Sequence, residues 1–328
     1  MSSLVSIGIP TYNHVAGLER AVASVLAQTH RELELVISDN ASTDTTPELC
    51  ARVAAGDTRV RIMRQPDNRG PTENFNAVLA ELRGEHTMLL ADDDTLEAEF
   101  VERCRVTFVA EPDLSIVHGR TCFADATSEM LGTDFDVTAD DPGRRVLDYL
   151  GRVHDNGAFY GLLRGDAMRA ALPVPNMLGA DWAWVSRLAF QGAIRVQHDT
   201  QLRRSYGGVS RSVERIAQIL GLPPGAARRP TATIVANIHN DIRQGSAVYG
   251  ALSPARRRRL AAAAALAVAR SHPSNFIFEE LRPLLGRPLV ARALGPLREG
   301  LDKVRAEPRP GKIVQRDGDA ASAEAAKR

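Results

Sequence analysis

The first 110 residues alternate between short apolar runs and longer segments in which apolar residues recur every three or four positions. The short runs are rich in Val, Ile and Leu and are bounded by Pro, Asn and Asp, which is typical of β-strands. The predicted strands are 4–9, 33–38, 60–64 and 87–91, and the predicted helices are 17–28, a segment opened by Thr46-Pro47, 73–82 and 96–109. Strands that alternate with helices form βαβ units, so the pattern predicts an α/β fold with a mostly parallel central sheet flanked by helices.

Beyond residue 110 the pattern is less regular. We predict a strand at 114–123, a loop over the acidic segment 125–141, short elements at 146–153, 158–163 and 167–172, a helix at 183–190 and a strand at 193–196. From about residue 212 the chain is rich in Arg and Ala, and its spacing predicts helices at 231–248, 254–271, 274–285 and 288–305. Residues 306–328 carry few large apolar side chains and are expected to be disordered.

Composition narrows the class of protein. With 328 residues, 44% of them hydrophobic and 25% charged, the chain has the makeup of a globular protein with a large core. Its three cysteines are scattered, which argues against a disulfide framework or a zinc site and fits a reducing cytoplasm. The N-terminal apolar run is too short for a secretory signal, and no stretch reaches the roughly 18 apolar residues of a membrane span. We therefore expect a cytoplasmic protein without a nucleic-acid partner.

The net charge of +1 hides an uneven distribution. Residues 211–328 contain 21 Lys and Arg against 10 Asp and Glu, so the N-terminal part is strongly acidic. This polarity is typical of a chain whose acidic part holds cations and whose basic part faces an anionic surface. The run Arg256–Arg259 fits peripheral contact with the inner face of a membrane. A solvated helix face, or one that meets a second copy in a homo-oligomer, explains the same residues, and the lack of an aromatic face favours it.

Three consecutive carboxylates follow one of the predicted strands. The apolar run Thr87–Leu90 leads directly into Asp92–Asp94. Clustered carboxylates repel one another unless water or a cation screens them, and Mg²⁺ and Mn²⁺ prefer such oxygen ligands. On spacing alone, a solvated cap of the next helix is an equal alternative. However, Asn13 and Asp39 also lie at the carboxyl ends of predicted strands, where parallel sheets bind ligands, so independent signals converge on one cleft.

Four segments resemble, in order and spacing, the successive signatures of inverting glycosyltransferase family two. They are Ser6–Asn13, Val36–Asp44, Asn68–Gly70 and Leu89–Asp94. The resemblance covers about residues 4–210 and implies the GT-A fold. It implies a catalytic domain of residues 1–211, with a nucleotide-binding half of about 1–123 and an acceptor half of about 124–211. A helical extension of 212–305 and a tail of 306–328 complete the expected organisation.

The resemblance also assigns roles on the donor side. Asp39 is similar to the carboxylate that accepts a hydrogen bond from a pyrimidine imide N–H, which uracil and thymine present; a turn-forming role is the alternative. Arg69 is expected on the base or phosphate, with a solvated turn residue as the alternative. The complete set implied for nucleotide-sugar binding is Pro10, Thr11, Tyr12, Asn13, Asp39, Arg69, Asp92 and Asp93.

The same resemblance implies a divalent cation, Mn²⁺ or Mg²⁺. Asp92 and Asp94 look like the two ends of the family's Asp-x-Asp motif, with Asp94 on the metal and Asp92 on ribose or on the metal through water. His198 is a candidate third ligand, although a lone His is more often a surface or core residue. Tyr206 stands near the place where relatives carry a His, and Arg203 or Arg204 is suited to pair with the diphosphate.

Asp181 matches the position of the family's catalytic base. The acidic residue that usually precedes that base is Ala180 here. An Asp beside Trp182 and Trp184 at a helix start is suited to be partly desolvated, which raises a carboxyl pKa toward useful base strength. The two Trp residues are expected to bind the acceptor by stacking on a sugar. The alternatives are that Asp181 caps the helix and that the Trp residues pack in the core.

These observations predict a metal-dependent inverting glycosyltransferase. It moves a sugar from a UDP- or dTDP-linked donor to a hydroxyl of a glycan, a lipid-linked or a small-molecule acceptor. A non-catalytic module that binds nucleotide sugars is one alternative. A sugar nucleotidyltransferase is less favoured, because the loop at Pro10–Asn13 has neither the Gly nor the Lys of a phosphate loop.

Overall fold

A ten-stranded mixed sheet forms the centre of the computed structural model, which describes residues 4–124, 128–205, 213–223, 225–272 and the backbone of 314–315. The strands are β1 (Val5–Thr11), β2 (Leu33–Asp39), β3 (Val60–Arg64), β4 (His86–Leu89), β5 (Thr95–Leu96), β6 (Leu114–Ala124), β7 (Ser128–Leu131), β8 (Leu162–Arg164), β9 (Ala193–Ser205) and β10 (Val314–Gln315). The helices are α1 (Val15–Leu26), α2 (Thr46–Gly56), α3 (Pro71–Glu81), α4 (Phe100–Ala110), α5 (Pro142–Leu150), α6 (Gly165–Ala171), α7 (Ala180–Gln191), α8 (Val213–Ile219), α9 (Pro230–Asn240) and α10 (Pro254–Ser271). Shorter helical turns cover Gly157–Tyr160, Asp241–Gly245 and Ala247–Ala251.

The strand order places the loops that follow β1, β2 and β4, which carry predicted site residues, side by side. The sheet runs β10-β7-β6-β8-β4-β1-β2-β3, with β9 paired to β5 and β6. Strands β1, β2, β3 and β4 are parallel, with Gly8 opposite both Val36 and Leu89. The carboxyl ends of β2, β1 and β4 therefore meet at one edge, where Thr11 lies opposite Asp39. Parallel strands joined by helices, with β8 antiparallel between β4 and β6, give the GT-A fold expected from the sequence.

Helices cover both faces of the sheet. Successive residues of a strand point to opposite faces, and in the central strands both sets of residues are largely buried. Along β2, Leu35 and Ile37 pack in the cluster that includes α1, α2 and α4, whereas Val36 points into the opposite cluster. That second cluster includes residues of α3, α5, α6 and α7. Strands buried on both faces read as mostly apolar runs, which is why β1, β2 and β4 are recognisable in the sequence, whereas β3 at the edge of the sheet is only partly buried.

The C-terminal helices share a core with the helix that carries Asp181. Ile238 of α9 and Leu260, Ala264 and Val268 of α10 belong to the same buried cluster as the apolar residues of α5 and α7. Arg187 of α7 and Asp241 form a buried, bidentate ion pair with Nη2–Oδ1 at 2.5 Å and Nε–Oδ2 at 3.1 Å. The described part of the helical extension is thus packed directly against the α/β region.

Several predicted elements differ from the structure in extent. The strand predicted at 193–196 continues to Ser205, the loop predicted at 125–141 contains β7, and the helix predicted from 96 begins at Phe100 after β5. The helix predicted at 231–248 ends at Asn240, whereas the one predicted at 254–271 is confirmed as α10. The helices predicted at 274–285 and 288–305 lie outside the described residues, as does the tail predicted at 306–328 apart from the two residues of β10.

Candidate active site

Left-handed backbone conformations mark the loops at the carboxyl edge of the sheet. Asn13 after β1 has φ 51°, Ala41 after β2 has φ 60°, and Gly70 ahead of α3 has φ 81°. A non-glycine residue in this region costs about 1 kcal/mol or more and persists where its surroundings hold it, most often near functional sites. The three residues surround the edge at which Thr11 and Asp39 end their strands.

Hydrogen bonds between loops hold this edge in place. The side-chain oxygen of Asn13 accepts the backbone N–H of Thr43 at 2.7 Å, and the buried amide of Asn40 binds both Asn68 and the backbone N–H of Arg69. These contacts link the loops that follow β1, β2 and β3.

The other predicted residues of the nucleotide site lie on the surface of that edge. Tyr12 is 43% exposed, and Pro10 is partly exposed beside it. Arg69 is exposed and lies 3.7 Å from Glu73, so the structure gives it a surface ion pair. Both Tyr12 and Arg69 are thus accessible to a ligand.

Asp39 is buried at the end of β2 and is held by two donors. Its Oδ1 accepts the backbone N–H of Ser42 at 2.9 Å, and its Oδ2 accepts the guanidinium of Arg64, which ends β3. An ionised carboxylate has about four acceptor positions. Two donors therefore leave Asp39 able to accept a further N–H. Sequence analysis missed Arg64, because its contact depends on the β2–β3 register.

Asp92 is tied to the loop that follows β1. Its Oδ2 accepts the hydroxyl of Thr11 at 2.7 Å, and its Oδ1 lies 3.2 Å from His14 Nδ1. Burial raises the pKa of Asp92, while the Thr11 hydroxyl and the His14 ring oppose that rise. The close packing here depends on Gly17, where an added Cβ would lie 2.6 Å from the backbone oxygen of Asp92. His14 was not among the predicted site residues.

Asp94 has the most strongly shifted pKa among the carboxylates of the predicted motif. It is 3% exposed, and its Oδ1 accepts the backbone N–H of Ser205 at 3.1 Å. Its Oδ2 is buried and forms an ion pair with Arg204 Nε at 3.5 Å, but neither of these two atoms makes a hydrogen bond. Burial raises the pKa of Asp94 to about 7, although the charge of Arg204 opposes the rise.

Arg204 is a largely buried cation, 19% exposed, between the two parts of the cleft. Its Nη1 donates to the backbone oxygen of Asp155 at 2.9 Å, and its guanidinium lies 4.8 Å from the centre of the Tyr160 ring. Its positive charge opposes the rise in pKa that burial causes in both Asp94 and Asp181. Arg204 is therefore the group that links the predicted donor side to the predicted acceptor side.

Arg203 and Arg204 lie on opposite faces of β9. Arg203 binds Glu129 of β7, with Nη1–Oε1 at 2.7 Å, and so is not directed at the predicted carboxylates. Of the two arginines predicted for the diphosphate, the structure brings only Arg204 to the cleft. Tyr206 and the neighbouring glycines lie outside the described residues.

The carboxylate oxygens of Asp92 and Asp94 fit a cation that is coordinated in part by the substrate. The orphaned Oδ2 of Asp94 is one available oxygen, and Asp92 adds a second carboxylate whose oxygens already have partners. Mg²⁺ is commonly held by one or two carboxylates together with phosphates and water. Within the part of the chain that the structure describes, no group of three His, Cys, Asp or Glu residues is arranged to hold a metal.

The predicted third ligand, His198, is not near these carboxylates. It is exposed in the irregular stretch of β9 between Gln197 and Gln201, where the register with β6 shifts. The extended segment from Gln201 to Ser205 alone spans about 13 Å. Because Ser205 is the residue that contacts Asp94, the structure corrects this expectation.

Asp181 occupies the first turn of α7 and is partly buried. Asn156 Nδ2 donates to its Oδ2 at 2.8 Å, and the Tyr149 hydroxyl donates to Asn156 Oδ1 at 2.7 Å. Burial raises the pKa of Asp181, and the hydrogen bond from Asn156 opposes the rise. The residue at the N-cap position is Gly179, so Asp181 lies inside the helix rather than at the cap. A desolvated carboxylate in a cleft is suited to accept a proton.

The two tryptophans lie on different faces of α7. Trp182 is partly exposed, and its ring centre lies 5.1 Å from that of His272, which follows α10. Trp184 is 0% exposed and packs edge-on against Phe159 in the core. Residues two positions apart in an α-helix point about 200° apart around the helix axis, so the rings of Trp182 and Trp184 cannot face the same cleft. The expectation that Trp184 binds the acceptor is therefore wrong, and it is a core residue.

The basic run of α10 lies at the opposite end of that helix from Trp182. Arg256, Arg258 and Arg259 are exposed in the first turns, whereas Arg257 donates to the backbone oxygens of Ile242 and Ser246. At a rise of 1.5 Å per residue, the positions of Arg256–Arg259 lie about 20–24 Å along α10 from His272, which contacts Trp182. Among the described residues, no helix combines the length and apolarity that a membrane span requires.

Comparison with known proteins agrees with the fold and the motifs. Residues 6–167 match the family described as "Glycosyl transferase family 2". The chondroitin synthase of Pasteurella multocida is 38% identical over 115 residues, which is 35% of this chain and 12% of that protein. The matched segments span between 12% and 51% of the first three curated relatives.

Solved structures extend the likeness beyond the motif region. S. aureus TarS 1-349 in complex with UDP-GlcNAc has a TM-score of 0.55 at 16% identity, covering 84% of this chain and 72% of that one. The mannosyltransferase PcManGT from Pyrobaculum calidifontis, in complex with GDP-Man and Mn²⁺, has a TM-score of 0.51 at 17% identity, covering 93% and 81%. At such identities the likeness concerns the fold. The family match thus places residues 6–167 in glycosyl transferase family 2, and the sheet order and the solved structures give the chain the GT-A fold.

Proposed function

We propose that this protein is a metal-dependent inverting glycosyltransferase that uses a UDP- or dTDP-linked sugar. The observation that carries the proposal is the convergence of two desolvated carboxylates, Asp94 and Asp181, around one largely buried cation, Arg204. Such an arrangement suits a reaction in which a diphosphate leaves one side of a sugar while a hydroxyl loses its proton on the other.

The donor binds, in this proposal, across the carboxyl ends of β1, β2 and β4. Asp39 accepts the imide N–H of uracil or thymine, supported by its two existing donors Ser42 and Arg64. Pro10, Thr11, Tyr12 and Asn13 line the pocket with the first loop. Asp92 and Asp93 reach the ribose and phosphates, and Arg69 contributes from the surface. Neighbouring structures in complex with UDP-GlcNAc and with GDP-Man support a nucleotide-sugar ligand.

Asp94 and Asp92 are the residues we assign to Mn²⁺ or Mg²⁺. The buried Oδ2 of Asp94, which accepts no hydrogen bond, supports this assignment, as does the structurally similar protein that was solved with Mn²⁺. A bound cation supplies Lewis-acid stabilisation of the diphosphate as it leaves. Arg204 adds a second positive charge that is part of the chain itself, and its Nε, which makes no hydrogen bond, is able to donate to a phosphate oxygen.

Asp181 acts as the general base. The acceptor hydroxyl gives its proton to the Asp181 carboxylate as its oxygen forms the new bond to the anomeric carbon. The bond from that carbon to the diphosphate breaks in the same step, and its electron pair leaves with the diphosphate. A single displacement inverts the anomeric configuration. Trp182, which is partly exposed beside Asp181, offers a face on which an acceptor sugar stacks.

The acceptor is a hydroxyl of a glycan, a lipid-linked saccharide or a small molecule. The likeness to a chondroitin synthase supports polysaccharide synthesis as the setting. A cytoplasmic enzyme, working alone or at the inner face of a membrane, fits such a role. The separation of the basic run from Trp182 favours a solvent-facing or oligomer-facing role for Arg256–Arg259 over lipid contact.

The proposal is tested in two steps. The first measures thermal shifts with UDP-, dTDP- and GDP-sugars, with Mn²⁺ and with a chelator, because ligands that bind the native state raise its melting temperature. We expect stabilisation by uridine or thymidine donors that depends on Mn²⁺ and is lost in Asp94→Ala. Preferential stabilisation by GDP-sugars contradicts the role of Asp39.

The second step measures UDP release from UDP-GlcNAc by wild type and by Asp181→Asn. We expect Asp181→Asn to keep UDP affinity and to lose at least about a hundredfold in turnover, since a general base contributes that much. The exposed Asp199→Asn is the matched control. Wild-type turnover in Asp181→Asn shows that another group is the base. Binding without turnover in wild type favours the alternative, a non-catalytic nucleotide-sugar module.

A further inference from the structure

Asn156 adopts a backbone conformation that few residues accept, at a point directly beside Asp181. It has φ 48° and ψ 47°, the left-handed region, and is 9% exposed at the start of the turn Gly157–Tyr160. Asn tolerates this region better than most non-glycine residues, but the conformation still requires surrounding contacts to hold it. The conformation aims a short amide side chain at α7 rather than at solvent.

Both ends of that amide have a partner, and the partners fix its orientation. Ionised Asp181 can only accept hydrogen bonds, so the NH₂ group of Asn156 must face Asp181, at 2.8 Å. The amide oxygen then faces Tyr149, whose hydroxyl must donate, at 2.7 Å. Tyr149 lies in α5 and is 1% exposed, so this hydroxyl is held by the core.

We propose that Asn156, oriented by Tyr149, is a positioning residue that holds the Asp181 carboxylate in the orientation required of the base. The proposal rests on the proposed function, because it takes Asp181 as the base. Tyr149, Asn156 and Asp181 form a chain of three groups on α5, the 151–156 loop and α7. Packing in the core fixes Tyr149, and Asp181 faces the cleft.

Other charged and titratable groups also act on Asp181. Arg204 of β9 supplies a positive charge that favours the carboxylate, while Tyr149 of α5 and Tyr160 of the turn after Asn156 are tyrosines close enough to interact with it. The backbone N–H groups of Asp181 and Trp182 contribute hydrogen bonds. Asn156 is the neutral side chain in this set that donates to Asp181, so its removal can be separated from a change of charge.

The test uses two substitutions of Asn156 in the full chain. Asn156→Gly keeps the left-handed backbone accessible and removes the amide. Asn156→Asp keeps the shape but places a carboxylate against Asp181. The readouts are the pH profile of UDP release from UDP-GlcNAc, the affinity for UDP, and the titration of Asp181 by ¹³C-carboxyl NMR, assigned by its absence in Asp181→Asn.

For Asn156→Gly we expect about a tenfold to hundredfold fall in turnover at neutral pH with unchanged UDP affinity. We also expect the acidic limb of the pH profile and the Asp181 titration to move up by about one pH unit, and further in Asn156→Asp. Wild-type turnover and an unmoved titration in a folded Asn156→Gly protein overturn the proposal.

Tyr149→Phe keeps the ring and the native loop, and so provides a second test if Asn156→Gly does not fold. Its matched control is Tyr249→Phe, another fully buried tyrosine, whose hydroxyl lies 3.0 Å from Ser186 on α7. We expect Tyr149→Phe to reduce turnover and shift the acidic limb, and Tyr249→Phe to leave the limb unmoved. Equal pH profiles in the two variants overturn the proposal. Retained turnover in Asp181→Asn, in contrast, refutes the base assignment itself.

Discussion

Replacing Asp94 by Asn tests the desolvation of the proposed metal ligand through stability alone. In the metal-free protein, burial raises the pKa of Asp94 from 3.8 to about 7. Each pKa unit corresponds to about 1.4 kcal/mol, so ionising Asp94 costs the native state about 4 kcal/mol relative to the unfolded chain. Asn has the same shape and does not titrate. We therefore expect Asp94→Asn to gain stability relative to wild type as pH rises.

The sign follows from proton binding. Because the folded pKa lies above the unfolded value, the native state retains a proton that the unfolded chain has released between about pH 4 and 7. This contribution to stability is fully present below the unfolded pKa and is lost as pH rises through the folded pKa. Between about pH 5.5 and 8.5, the mutant-minus-wild-type free energy of unfolding is expected to grow by about 2 kcal/mol.

Urea titrations at the two pH values, in chelator, measure this quantity. Subtracting the wild-type free energy of unfolding cancels the contributions of the other titrating groups. Comparing the difference at the two pH values cancels any constant cost of the altered contact with Arg204. Asp199→Asn, an exposed carboxylate, supplies the baseline. A mutant-minus-wild-type difference that stays constant with pH refutes the claim that Asp94 is desolvated.

Three further substitutions test the site and its support. Asp39→Asn is expected to weaken UDP binding about tenfold or more by calorimetry, because an imide N–H then meets an amide; unchanged affinity contradicts its role. Gly17→Ala is expected to lose about 1–3 kcal/mol of stability in denaturant unfolding, since its Cβ would meet the backbone of the Asp92 loop, whereas Gly56→Ala, with open space around it, costs nothing. Asp241→Asn leaves Arg187 buried without its counter-charge and is expected to cost about 3–5 kcal/mol by the same method; a cost below about 1 kcal/mol contradicts the pair's burial.

The strands on the donor side were predictable because they are buried on both faces. Almost every residue of β1, β2 and β4 is buried, whereas β3 at the edge of the sheet contains two Arg and is only partly buried; the polar residues that follow the buried runs mark the carboxyl edge of the sheet. Asp39 and Asp92–Asp94 therefore follow from local pattern alone. The family and the GT-A fold inferred from these segments are confirmed by the comparisons.

The acceptor side was less predictable, because its contacts are long-range. Strand β9 continues past residue 196 through residues that are all polar except Leu202, so its pattern does not separate it from a loop. Without that strand, Arg203 and Arg204 could not be assigned to opposite faces. The link from Tyr149 through Asn156 to Asp181 joins three elements that no sequence spacing relates. Trp184 is different, since the helical period already places it opposite Trp182 once the start of α7 is known.

The common core of α7, α9 and α10 has a consequence for protein engineering and for divergence among relatives. A chimaera joined near residue 212 would cut through a continuous hydrophobic interface, whose far side supports the helix bearing Asp181. Exchange of C-terminal segments between homologues therefore requires the matching face of α7 to travel with them. Acceptor preference and the architecture of this distal segment are expected to evolve together.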